Sequence, residues 1–191
     1  SAIYAGMVAG PNSVNYMKKL DKRAEDMPST IFDAHIAAEQ QKWDDTMALD
    51  GTENAYVLHK ELGEWMTDNV TVVRYNDRLQ KTDEKIQELL ERFNNININD
   101  TQKWSNQGAT FARQLKNMLY LARVITQGAL LRNESRGAHY KPDFPERDDE
   151  QFMKTTMANF DPATGAPVIH YEEIDVSLIP PRKRDYSSKG D

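Results

Sequence analysis

Three potential cations and one carboxylate crowd into Arg132-Asn133-Glu134-Ser135-Arg136-Gly137-Ala138-His139. Charge at this density needs either water or an opposing surface whose hydrogen-bonding groups match it. The plain reading is an exposed charged loop, and composition alone leaves that reading ahead. Other polar combinations offer less. The four histidines, His35, His59, His139 and His170, never pair at the spacing of a helical metal site. His35 and Glu39 stand four apart, the geometry of an ordinary surface contact on a helix. Asp44-Asp45, Asp148-Asp149 and Glu172-Glu173 are adjacent pairs. Neighbours in sequence do not face each other on a helix or strand, and acid–base work needs two carboxyls converging on one cleft with separated pKa values. Solvated faces are the better reading.

Two further chemistries are ruled out by residue type. Cys is absent, so a thiol nucleophile, a disulfide framework and a Cys-ligated zinc or iron–sulfur cluster are excluded within these residues. The nine glycines stand at 6, 10, 51, 63, 108, 128, 137, 165 and 190, which permits neither G-x-G-x-x-G nor a P-loop. With 24 Lys and Arg against 30 Asp and Glu, the net charge of −6 argues against nonspecific nucleic-acid binding, because that binding depends on cationic side chains displacing counterions from phosphates. No apolar run approaches the ~20 residues that span a bilayer; Met118 to Ile125 is short and interrupted by Arg123. The opening Ser-Ala-Ile-Tyr-Ala-Gly-Met-Val-Ala-Gly lacks the basic region of a signal peptide. It begins inside an apolar segment with no cap, and reads as a chain cut from something longer.

The elements that must position these groups are mostly helices. A chain of 191 residues buries about 70% of its unfolded surface, enough for one domain and an appended element. Residues 1–9 read as the tail of a buried helix, ended by Gly10-Pro11-Asn12, since Gly accepts left-handed dihedrals and Pro cannot continue the ladder. Ser29 or Thr30 caps a helix to about Leu49 with Phe32, Ile36, Trp43 and Met47 near one face. Thr52 caps the next, which carries Leu58, Leu62, Trp65, Met66, Val70 and Val73 to about Asn76. A short helix starts at Thr82-Asp83-Glu84, with Ile86, Leu89, Leu90 and Phe93 as its stripe. Asn94 to Asn99 alternates Asn and Ile and reads as a loop. The clearest helix runs from about Gly108 to Arg132, with Phe111, Leu115, Met118, Leu119, Ala122, Ile125 and Ala129 recurring at steps of three and four and Arg113, Lys116 and Arg123 largely off that seam. Short connections between long amphipathic helices predict an up-down-up antiparallel bundle. Trp43, Trp65 and Trp104 read as its core or margins. Beyond it, Met153 to Phe160 and Val168 to Val176 read as strands joined by Asp161-Pro162-Ala163-Thr164-Gly165, a β-hairpin, and Pro180 onward is a basic polar tail. The fold class expected is therefore mainly α, a three-helix bundle with a small C-terminal β-hairpin. Its divisions are 1–28, a helix and connector; 29–133, the bundle; and 134–191, charged loop, hairpin and tail.

The charged stretch extends into a longer pattern. Glu134-Ser135-Arg136-Gly137-Ala138-His139-Tyr140-Lys141-Pro142-Asp143-Phe144-Pro145-Glu146-Arg147-Asp148-Asp149 closely resembles the E-S-R-G-x-H-x-x-x-D-x-P-x-R-D-D stretch of succinate dehydrogenase and fumarate reductase flavoprotein subunits. L-Aspartate oxidase shares its first half but is less similar in the second helix and the tail. Pro180-Pro181-Arg182-Lys183-Arg184-Asp185-Tyr186 resembles the family's P-x-x-R-x-Y ending. Ser1 to Gly10 resembles the helix after its R-L-x-x-N-S-L-L motif, and Gly51 through Arg74 is similar to its helical region in Gram-positive bacteria of the Bacillus type.

The resemblance implies a C-terminal region similar to a spectrin-repeat-like three-helix bundle. It implies an intact FAD-dependent subunit that oxidises succinate to fumarate and passes electrons through an iron–sulfur subunit toward a membrane quinone. The flavin and substrate motifs of the family lie upstream of Ser1, so no catalytic, cofactor-binding or metal-binding residue is carried onto this sequence, and no FAD is expected on these residues alone. The implied partners are the flavin-binding domain of the same subunit and the iron–sulfur subunit, on the inner, cytoplasmic face of the cell membrane and without insertion into it. Arg132, Glu134, Arg136 and His139 are the expected docking residues. The competing expectation is a free-standing helical module that binds a protein partner.

Overall fold

Buried side chains at Leu79, Thr82, Asp83, Ile86, Leu89 and Phe93 recur every three or four residues, which puts them on one helical face. In the computed structural model, which describes residues 2–182, that face belongs to α4 (Asn76–Phe93). The helix starts six residues before the expected Thr82, because Leu79 extends the stripe by one turn and Asp77 lies in the first turn, where the helix dipole favours an acid. The chain divides into two compact units after residue 45.

The first unit holds α1 (Ala2–Met17), a short 3₁₀ turn (Ala24–Asp26) and most of α2 (Thr30–Met47). The expected break at Gly10-Pro11 is not there, and α1 runs through Pro11 to Met17. Proline leaves the carbonyl four residues back without its usual donor. Close by, the Asn12 side chain donates to the Val8 carbonyl at 2.9 Å. None of the described α1 residues is buried. In α2 the expected apolar face is also largely exposed at Phe32 and Ile36. Pairs one turn apart support this helix, with Gln40 donating to Asp44, Gln41 to Asp45, and Lys42 to Glu39.

In the second unit three helices pack on one another: α3 (Ala55–Val70), α4 and α5 (Gln107–Leu131). Asn54 caps α3 by accepting from the Tyr56 N–H at 2.8 Å. The expected cap, Thr52, lies in backbone already committed elsewhere. Gly51 N–H donates to the Ile96 carbonyl and Glu53 N–H to that of Asn95, while Asn97 N–H returns to Glu53 and Ile98 N–H to Leu49. The Asn/Ile alternation is thus a bridged strip whose Ile96 and Ile98 enter the core, as period-two side chains do. Gly51 is required here, since a Cβ would stand 2.0 Å from the Asn95 carbonyl oxygen.

The β-branched run after Val70 ends α3 short of the expected Asn76, and Val73 bridges Tyr140 instead. Asn106 caps α5 by accepting from the Ala109 N–H. The buried face of α5 is Ala109, Ala112, Leu115, Leu119, Ala122, Thr126 and Ala129, whereas Met118 and Ile125 of the expected seam are exposed. Trp104 is 88% exposed and lies outside the core.

Cross-contacts give the helix directions. Glu53 and Glu61, before and early in α3, both accept from Arg92 near the end of α4, so those two are antiparallel. Asp83 in α4 pairs with Arg123 of α5, while Phe93 meets Lys116, so these are antiparallel too. Tyr56 stacks on Phe111 and Met66 meets Thr126, so α3 and α5 run parallel. The topology is up-down-up, as expected, but its middle helix is α4, which the sequence reads as short, and α2, counted within the expected 29–133 bundle, falls mostly in the first unit. A helical turn α6 (Asp149–Phe152) precedes the antiparallel hairpin of β1 (Lys154–Asp161) and β2 (Ala166–Glu173), in register from Lys154–Glu173 to Asp161–Ala166. Its turn uses the Asp161 carboxylate, which accepts from Ala163 N–H and Thr164 Oγ1, and Gly165 at φ +64°. Most of the basic tail, residues 183–191, lies outside the described residues.

Candidate functional site

Since α3 and α5 run parallel, their C-termini, at Val70 and Leu131, lie at one end of the bundle. A helix C-terminus leaves carbonyls without intrahelical partners and carries partial negative charge. The segment from Arg132 to Asp149 folds over this end. Arg136 and His139 exchange backbone hydrogen bonds at 2.8 and 3.0 Å around Gly137 at φ +61°, a conformation that Gly adopts without strain. Ser135 closes a wider loop: its hydroxyl donates to the Phe144 carbonyl and accepts from the Lys141 N–H, and its own N–H donates to the Glu146 carbonyl.

Glu134 is the centre of the charge cluster, with no exposed surface. One carboxylate oxygen accepts from Arg132 Nη1 and Arg136 Nε, the other from Arg136 Nη2 and the Asp148 N–H at 2.9 Å. Burial alone would raise its pKa, but Arg136, the Asp148 amide and Arg132 together hold it below the usual carboxylate value. Arg132 goes on to donate to the carbonyls of Phe152 and Lys154, with its guanidinium near the rings of Phe152 and Tyr171. Arg136 also reaches Asp149 at 2.8 Å, and Arg147 donates to the other Asp149 oxygen. Arg136 is held charged chiefly by its hydrogen bond to Glu134.

His139 lies on the other side. Arg74 Nη1 donates to its Nδ1 at 2.5 Å, and its Nε2 meets the Arg132 carbonyl at 2.9 Å. A guanidinium can only donate and a carbonyl only accept, so the ring is neutral with its proton on Nε2. Burial pushes its pKa down, only partly opposed by that carbonyl, and the charges of Arg74, Lys141 and Arg132 push the same way. Lys141 is 1% exposed, its ammonium donating to the Leu130 carbonyl and to Asn133 Oδ1, both at 3.0 Å. Burial and the charge of Arg74 bring its pKa down to about 8, against the pull of Asp143. Arg74 donates from Nε to the Val70 carbonyl at 2.7 Å. Arg74 and Lys141 therefore cap the carbonyl ends of α3 and α5 with positive charge.

All four expected residues, Arg132, Glu134, Arg136 and His139, come together in one network, and its hydrogen bonds run within the chain. Arg136, with 29% of its side chain exposed, keeps more surface than Arg132 or Glu134. Sequence reasoning missed Arg74, Lys141 and the buried Asp83–Arg123 pair at 3.0 Å. Lys141 and Asp149 stood inside the recognised stretch. Nothing local marked Arg74, because its role comes from a bridge to Tyr140 across the fold. Among the described residues no group of three or more His, Asp or Glu side chains is placed to hold a metal ion, and no helix is long and apolar enough to cross a membrane. The network can clamp a loop. It offers no open base or nucleophile to a substrate, since both histidine nitrogens and the Glu134 carboxylate are already engaged and Lys141 is enclosed.

Comparison with known proteins matches residues 59–186 to the family of the fumarate reductase flavoprotein C-terminus. The chain is 69% identical over 189 residues to the succinate dehydrogenase flavoprotein subunit of Bacillus subtilis, a match that takes in 99% of this chain and 32% of that relative. It is 36% identical to a fumarate reductase flavoprotein subunit of Helicobacter pylori, over 99% of this chain and 26% of the relative. A solved Escherichia coli quinol fumarate reductase superposes with a TM-score of 0.77 at 32% identity, over 82% of this chain and 27% of that one. The chain spans about a third or less of the length of each.

Proposed function

We propose, from the premise that this chain belongs to the fumarate reductase flavoprotein C-terminal family, that it is the helical C-terminal part of a FAD-dependent subunit oxidising succinate to fumarate. The observation that carries this reading is the 69% identity to the Bacillus subtilis succinate dehydrogenase subunit, maintained over 99% of the chain. Flavin and substrate then belong to polypeptide beyond these residues. The residues present do not fit FAD: the glycines lack the dinucleotide spacing, and among the described residues the strands form an antiparallel hairpin, with no parallel strand–turn–helix unit to offer amides to a pyrophosphate.

In this reading the chain is a buttress. It packs against the flavin-binding domain of its own subunit, and the assembled subunit passes electrons to an iron–sulfur partner at the cytoplasmic face of the membrane. The Glu134-centred network holds the docking loop in shape, and Arg136, with surface left to offer, makes the outward contact along with the edges of Arg132 and His139.

Replacing the matching third of the Bacillus subtilis flavoprotein subunit with this chain tests the reading. We expect a flavinylated complex with succinate oxidation within a few-fold of the parent. A chimera that folds, as judged by circular dichroism and protease resistance, but neither assembles with the iron–sulfur subunit nor oxidises succinate would overturn it. In the same chimera Arg136→Ala is expected to weaken assembly, and unchanged assembly would remove the docking role of Arg136.

A further inference from the structure

Most groups at the shared end of α3 and α5 are ordinary caps, but His139 is held by two partners that tolerate only one of its protonation states. Arg74 Nη1 needs a lone pair at Nδ1, and the Arg132 carbonyl needs a proton at Nε2. A second proton on the ring removes the acceptor for Arg74 and sets two cations against each other at 2.5 Å. We propose that His139 is an acid-released latch: while neutral it ties the 133–148 loop to the α3–α4 connector and to the end of α5, and its protonation frees that loop.

Among the described residues, the charges that act on the ring are cations. From the α3–α4 connector the ring faces Arg74, and from its own segment it faces Arg132 and Lys141, three cations that oppose protonation. The carboxylates nearby are otherwise engaged: Glu134 by Arg132, Arg136 and the Asp148 amide, Asp149 by Arg136 and Arg147. Asp143 acts on Lys141. What the latch holds is limited and specific. Besides the two ring contacts, Arg74 N–H donates to the Tyr140 carbonyl at 3.0 Å, and Val73 bridges Tyr140. Losing the Arg74–His139 bond leaves the Arg74–Tyr140 backbone contact, the Val73 bridge and the Asn76–Asn133 side-chain bond on the connector side, with Lys141 still holding the loop to the end of α5. The sign follows from burial. A histidine kept neutral by the fold contributes stability that is complete above the unfolded value near 6.5 and is lost as pH falls toward its lowered folded value.

The test is a pH series on the full chain by NMR. Imidazole nitrogen spectra should show His139 as the Nε2–H tautomer, neutral at pH 6.5. Amide exchange at Arg74, corrected for intrinsic rates, should lose about tenfold in protection per unit of pKa depression as the ring takes its proton. His139→Gln, neutral at every pH, should abolish that acid response. An Nδ1–H tautomer, a ring that titrates at or above 6.5, or an equal acid response in His139→Gln would each overturn the proposal. If His139→Gln fails to fold, the tautomer and titration of the unsubstituted chain decide alone.

Discussion

Glu134→Ala is the perturbation the structure makes most quantitative. Glu134 is fully buried and accepts from four donors. Truncation removes one negative charge and strands two guanidiniums, whose side chains are 11% and 29% exposed, and one amide. Breaking a buried ion pair from one side costs about 3–5 kcal/mol, because the remaining charge is uncompensated. Arg132 keeps the carbonyls of Phe152 and Lys154, and Arg136 keeps Asp149, which points to the lower half of that range. For a chain of this size the loss corresponds to a fall of roughly 6–16 °C in melting temperature. The assay is chemical and thermal denaturation followed by circular dichroism, with Glu150→Ala, on an exposed carboxylate of the same segment, as the control expected within about 0.5 kcal/mol. A loss below about 1 kcal/mol for Glu134→Ala would refute the view that this carboxylate organises the loop.

Gly51→Ala should destabilise the chain by more than the ~1 kcal/mol of a typical substitution, because its Cβ would strike the Asn95 carbonyl at 2.0 Å; denaturant midpoints check this, and an unchanged midpoint speaks against the bridged strip. Lys141→Met should flatten the alkaline pH dependence. The folded pKa near 8 lies below the unfolded 10.5, so the contribution of Lys141 is complete above 10.5 and falls by about 3 kcal/mol as pH drops through 8. The difference between the two stability curves across that window isolates it, and parallel curves would contradict the burial of Lys141. Asp83→Ala strands Arg123 between α4 and α5 and should cost more than Arg123→Ala, with a double-mutant cycle giving coupling of about 0.5–3 kcal/mol.

The bundle and hairpin were legible because their signals are local and periodic. The stripes at 58–70, 79–93 and 109–129 have helical spacing, and Asp161 to Gly165 carries the turn chemistry that joins two antiparallel strands. The misses share a physical origin in contacts between distant segments. Thr52 has the residue type of a cap, but pairing with residues 95–97 moved the helix start to Asn54. Pro11 stops most helices, yet α1 continues through it. Arg123 is legible only as a residue off the apolar seam, because its partner Asp83 lies forty residues away. At the site, residue types announced a charge cluster, whereas the neutral state of His139 and the burial of Lys141 come from the fold, which closes the end of α5 and Arg74 of the α3–α4 connector around them.

The proposed function puts the flavin in polypeptide outside these residues. That placement is tested most directly by purifying the 191-residue chain, adding excess FAD, removing unbound flavin and reading absorbance near 450 nm. The expected result is a colourless, folded protein with no retained flavin and no succinate oxidation. A yellow protein holding FAD in a one-to-one ratio would contradict it.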